Sequence, residues 1–136
     1  QITQHTDTLP ETQELAQLDF ALASLAVKTG LMRHAGFVEK AYTPCGETWV
    51  QTGKDLSAVD KVIITGGSLI HADRVEGIAA CALYDAAEPS SLRPQQAEVL
   101  VDTQYILSAM GLLSQYEPDI ALTIMKKELT SHGTAK

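Results

Sequence analysis

Lys61-Val62-Ile63-Ile64-Thr65-Gly66-Gly67-Ser68-Leu69 is the stretch from which the fold of this chain is read. Four strand-forming residues, Lys61 to Ile64, run into two glycines, and Ile70 to Asp85 has the character of a helix. The segment therefore predicts a strand, a tight turn and a helix. Paired glycines permit backbone conformations closed to other residues, and they let a flat ligand approach the main chain with no Cβ between. Amide groups opening the helix would add the positive end of its dipole. Two readings of the pair stand side by side. Gly66, Gly67 and Ser68 form a nucleotide-binding turn, with Ser68 donating to the ligand; or the glycines only redirect the chain and Ser68 caps the helix.

Working outward, Glu98 to Asp102 reads as a short apolar strand parallel to Lys61–Ile64, because a helix connects the two. Asp102 falls at its end, where α/β proteins place ligand-facing groups, and equally where a carboxylate caps the helix expected over Gln104–Tyr116. Gly111 inside that helix predicts close packing, since glycine costs about 1 kcal/mol there against alanine. Pro118 opens a last helix through Leu129. Upstream, Leu15, Leu18, Leu22, Leu25 and Met32 recur at helical spacing from Thr12, a potential cap, to Gly36, a potential stop. That helix calls for a broad apolar partner, most naturally a sheet face. Phe37 to Thr52, divided by Pro44-Cys45-Gly46, predicts two short antiparallel strands at a sheet edge. Trp49 within them is a packing residue or a stacking surface. Residues 1–11 read as a linker or frayed entry, 12–130 as a single α/β lobe and 131–136 as a loose tail.

The totals narrow the function. A chain of 136 residues with 45% hydrophobic content forms one domain with its own core. Ten basic residues against seventeen acidic ones leave a net charge of −7 and no basic patch, which argues against nucleic acid and membrane surfaces as partners. With no apolar run of eighteen and no basic-then-apolar leader, the expected compartment is the cytoplasm. Cys45 and Cys81 are expected to be free thiols. The start at Gln1 rather than Met suggests an excised piece, a mature product or a trimmed polypeptide. His5, His34, His71 and His132 share no metal-type spacing, and no catalytic motif is present. A small enzyme would require a pocket shared by Asp102, His71 and Tyr105.

Four segments in order carry a resemblance: LDFALASLAVKTGLMRHAG, YTPCGETWVQTGKDL, VIITGGSLIH and VLVDTQYILSAMGLLSQYEPDIAL. They closely resemble the C-terminal part of the MutL-like (GlmL) accessory proteins of glutamate mutase, a family unrelated to the mismatch-repair protein of similar name. The resemblance runs from about Leu9 to Leu129. It implies the C-terminal lobe of an actin-like ATPase (ribonuclease H-like) fold, a mixed sheet with packed helices. The strand and Gly-Gly turn would be its adenosine motif, falling on Gly66, Gly67 and Ser68. Asp102, Tyr105, Ala109 and Gly111 match its closing strand and helix. The resemblance further implies a reactivating chaperone that uses ATP to help an adenosylcobalamin-dependent mutase exchange damaged cofactor. The acidic phosphate hairpin and second phosphate loop of such ATPases are not in this sequence. ATP or ADP, with Mg ligands lying outside this chain, would then be held jointly with a missing N-terminal half, and no catalytic residue is assigned within these residues. A protein-interaction lobe without nucleotide binding is the alternative.

Overall fold

The computed structural model describes residues 12–70, 72 and 74–135. It is a mixed α/β structure. Helix α1 (Gln13–His34) leads into a hairpin of β1 (Phe37–Thr43) and β2 (Gly46–Thr52). Then follow β3 (Lys61–Ile64), α2 (Gly67–Ile70), α3 (Val75–Ala80), β4 (Ala97–Val101), α4 (Leu107–Leu113), α5 (Pro118–Glu128) and β5 (Thr130–Ala135). A three-stranded sheet in the order β3-β4-β5 is the centre: β3 and β4 run parallel with Ile64 opposite Val101, while β5 pairs antiparallel to β4. Lys61 and Glu98 face each other in that register and join at 3.1 Å, a cross-strand pair that penalises a one-residue slip.

The sheet buries one face. Ile64, Val99 and Val101 pack with Val75 and Ala79 of α3, and Val62, Leu69, Ile70, Ala72 and Ala135 close around them. Ile63, pointing to the opposite side by strand alternation, remains 49% exposed. Burial also explains why Ile70–Asp85 is not the continuous helix the sequence predicts. In a straight helix Val75 and Ala79 would lie about 140° and 180° around from Ile70, at about 100° per residue. Both sides join the core only because the chain breaks between α2 and α3.

Thr12 caps α1 as expected, its Oγ1 accepting from Leu15 N at 3.2 Å. The helix, however, does not lie on a sheet face and buries no residue fully. It meets α2 and α3, where Gly77 leaves room for the Phe20 ring: a Cβ there would sit 3.1 Å from it. Arg74 lies 4.8 Å from the same ring centre. Leu15, Leu18, Leu22, Leu25 and Met32 stay substantially exposed. The same 22 residues are long and apolar enough to cross a membrane. Yet Phe20 touches the protein's own helical layer, and Lys28 Nζ reaches Asp85 Oδ2 at 3.0 Å.

The hairpin is antiparallel as predicted but stands as a two-stranded ribbon of its own rather than as an edge of the main sheet. Its root is Gly36, whose N–H donates to Lys54 O and whose carbonyl accepts from Leu92 N. A Cβ at Gly36 would collide with the carbonyl of Thr52 and the backbone of Gly53 and Lys54, so only glycine permits this crossing. Trp49 does not pack in a core; it is 66% exposed, with Lys40 Nζ 5.5 Å from its ring centre. Three further expectations are corrected. Residues 131–135 are not a tail but most of β5, held because the exposed backbone edge of β4 needs a partner. The helix predicted over Gln104–Tyr116 is shorter, because Tyr105 adopts φ +54° and ends any helical run before it. Gly111 faces open space, so close packing does not explain it.

A loop clamp ties α1 to the remainder. Arg93 is 1% exposed and donates from Nη2 to Glu88 at 2.9 Å and from Nε to Ser91 Oγ at 3.2 Å. Lys28 reaches Asp85 and, at 3.6 Å, Glu88. Removing one partner of a buried guanidinium leaves its charge uncompensated. Because Glu88 is partly solvated, Glu88→Ala should cost about 2 kcal/mol rather than the full penalty of a dry pair, read as a lowered urea midpoint. Asp102 offers a second test. It is 1% exposed, and its oxygens accept from Ile106 N at 2.9 Å, Leu107 N at 3.1 Å and Thr65 Oγ1 at 3.1 Å. Burial pushes its carboxyl up, but those hydrogen bonds outweigh it and hold the pKa below the usual aspartate range. A depressed folded pKa stabilises above the unfolded value and loses that contribution as pH falls through the folded one. Asp102→Ala should therefore cost about 2–3 kcal/mol near neutrality, with the gap from wild type closing in acid, as urea titrations at several pH values would show.

Candidate functional site

The candidate site lies where β3 and β4 end together. Ile64 and Val101 are register partners, and the Asp102 N–H donates to Ile64 O at 2.9 Å, extending the parallel ladder by one bond. Both chains then leave the sheet at the same edge, one through Thr65-Gly66-Gly67 and the other through Asp102 to Tyr105. Open parallel sheets hold ligands beyond the carboxyl ends of their strands, and in this mixed sheet the one parallel pair, β3 and β4, ends here.

The two loops are tied to one another. Thr65 Oγ1 donates to Asp102 Oδ2, so the residue before the glycines is fastened to the residue that organises the second loop. Asp102 then takes up the first amides of the α4 region, and its carbonyl accepts from Tyr105 N at 3.0 Å. Of the two roles read for Asp102, the structure shows the cap: both oxygens are engaged with protein donors. The cap was legible as a residue type, but Thr65 as its partner was not, because nothing local marks a contact across 37 positions.

Gly66 and Gly67 differ. Gly66 has φ +108°, a conformation in which an L side chain is strained, so the turn itself requires glycine there. Gly67 has no positive φ, and a Cβ built on it meets nothing within 4 Å. The same open space surrounds the Cβ position of Gly66. Among the described residues, main chain is thus left bare along two consecutive positions. Leu69 N and Ile70 N both donate to Gly66 O, at 3.0 Å each, which closes the turn into α2. Ser68 stands in the first turn of α2. The helix-dipole contribution expected after the glycines is small, because α2 spans four residues and few peptide dipoles align.

The other sequence candidates do not converge on this edge. His71 lies outside the described residues, and so the trio of Asp102, His71 and Tyr105 cannot be assembled from them. His5 and the entry segment 1–11 lie outside as well. His132, read as part of a loose tail, sits in β5 with Nδ1 3.0 Å from Glu76 Oε1. His34 Nε2 is 3.4 Å from Lys54 Nζ. Among the described residues no three His, Cys, Asp or Glu side chains form a metal-holding group, and Cys45 and Cys81 are free thiols. A shallow apolar depression lined by Asp119, Ile120, Thr123 and Ile124 belongs to α5 alone and includes neither glycine.

Sequence comparison supplies the context. A family described as "MutL protein" matches residues 1–129. A relative named "Protein MutL", from Clostridium tetanomorphum, is 44% identical over 126 residues; the match covers 93% of this chain and 27% of that protein. The chain thus spans about a quarter of the relative's length. No solved structure matches. With a family match across nearly every residue and that degree of identity, this chain belongs to the MutL protein family.

Proposed function

We propose that this chain is the adenosine-side lobe of an actin-like ATPase that reactivates an adenosylcobalamin-dependent mutase of the glutamate mutase type. The bare backbone at Gly66-Gly67, on the carboxyl edge of two parallel strands, is the observation that carries the reading. A flat nucleoside face needs an approach to the main chain that a side chain would fill, and both glycine Cβ positions here open onto space. Gly66, Gly67 and Ser68 are the residues that would meet the adenosine of ATP or ADP. The triphosphate and its Mg ligands belong, on this reading, to the remainder of a longer polypeptide, and the mutase subunit is the partner served. The expected setting is cytoplasmic.

The two glycines allow a clean test. Gly66 is unsuitable, since any replacement strains the turn whether or not a ligand binds. Gly67 has room for a side chain in the folded protein, so Gly67→Val perturbs the fold little while filling the space a ligand would use. Calorimetry with ADP on the full-length protein should show at least a tenfold loss of affinity, with the ligand-free melting temperature changed by no more than about 2 °C. Unchanged affinity would count against the site.

A second reading rests on a different observation. Tyr42, Trp49, Ile63, Leu112 and Tyr116 are large apolar or aromatic side chains with much of their surface in solvent, on the hairpin, on β3 and in the α4 region, and apolar surface of this sort is what a partner protein would cover. On that reading the lobe holds a partner protein without nucleotide. Capture of a mutase subunit by the full-length protein, equal with and without ADP and unaffected by Gly67→Val, would favour it over the first.

A further inference from the structure

The second loop at this edge carries a feature that the fold does not account for. Tyr105 has φ +54°, and among the described residues it is the sole non-glycine with positive φ. The turn requires that conformation, because it carries the chain from the Tyr105 N–H bond on Asp102 O to the Ile106 and Leu107 amides on the Asp102 carboxylate. Glycine or asparagine would adopt it at less cost than a tyrosine. The ring gives the fold little in return, for Tyr105 is 59% exposed. A bulky aromatic thus occupies a position where local geometry favours a small residue, in the loop fastened to the glycine turn through Thr65 and Asp102. Backbone strain kept without a packing reason is a pointer to function.

From this we infer that Tyr105 is a positioning residue for the base of a purine nucleoside lying along Gly66-Gly67, with its ring the aromatic wall against which the base stacks. The assignment rests on the nucleotide reading above and adds to it the group that recognises the base. Flat aromatic surfaces stack on either purine, so the ring supplies affinity more than discrimination between adenine and guanine.

Calorimetry with ADP on the full-length protein, wild type against Tyr105→Phe and Tyr105→Gly, tests it. The phenylalanine variant keeps the ring and should bind within about twofold of wild type. The glycine variant relieves the backbone and loses the ring. Its ligand-free melting temperature should hold or rise by a few degrees, about the gain expected where glycine suits the conformation, while ADP affinity falls roughly five- to a hundredfold. Glycine-variant affinity equal to wild type, beside a Gly67→Val variant that binds poorly, would overturn this assignment and leave the nucleotide reading standing. A simultaneous fall in melting temperature and affinity would show that the turn, not the ring, sets binding, and would overturn it too. A wild type with no affinity for ADP would remove both readings.

Discussion

The carboxylate of Asp102 is the contact on which the arrangement of this edge depends. Two neighbouring parallel strands do not by themselves fix the loops that follow them, and each loop leaves backbone amides needing acceptors. Asp102 answers this for both sides at once, accepting Thr65 Oγ1 from the end of β3 and the Ile106 and Leu107 amides from the entry to α4. An ionised carboxylate buried to 1% exposure survives only when its lone pairs are occupied, and here three donors occupy them. The glycine turn and the Tyr105 turn consequently hold one fixed relation. Neither could shift without exposing an unsatisfied charge.

Burial elsewhere is lopsided, and this follows from where the sheet finds partners. One face of β3-β4-β5 is covered by α2 and α3, and every fully buried strand residue points that way. The opposite face shows Ile63 to solvent, α4 buries none of its residues, and the stripe along α1 is only half covered. An isolated two-stranded ribbon such as β1-β2 is marginal in water, and this one is secured at its base through Gly36, Ser90 and Leu92 rather than along its length.

How much was legible in the sequence depended on the range of the physics involved. The strand Lys61–Ile64, its parallel pairing with a strand read as Glu98–Asp102 and found at Ala97–Val101, the antiparallel pairing within Phe37–Thr52, the Thr12 cap and the Pro118 start follow from local composition, spacing and turn chemistry, and these expectations hold in the structure. Failures cluster where distant parts decide. The break after Ile70 arises because two helical faces compete for one core. Strand β5 forms because β4 has a free edge, and Thr130–Ala135 has too few apolar residues to announce itself. Trp49 read as a packing residue on general frequency, while its exposure reflects a strand, β2, whose residues are all exposed. For the candidate site, the sequence showed the glycines and Asp102 as separate signals; their union through Thr65 required coordinates.

The glycines make the same point at finer grain. Gly36 is demanded by a backbone crossing and Gly66 is called for by its own φ, while at Gly77 a Cβ would press on the Phe20 ring, so each has a cause inside the molecule. Gly67 has none of these, and neither do Gly30 and Gly111. Gly30 and Gly111 lie on α1 and α4, the helices without a buried residue, so the missing reason there matches a missing neighbour. Gly67 differs because β3 leads into it through Thr65 and Gly66, and the second loop is tied to Thr65, the residue just before its partner glycine. An alanine Cβ at that position would meet no obstacle among the described residues, so the contacts of the folded chain give no reason for a glycine there. Gly67 is thus a residue that the internal contacts of the fold do not explain, placed beyond the ends of β3 and β4 in a turn that Thr65 and Asp102 tie to the second loop.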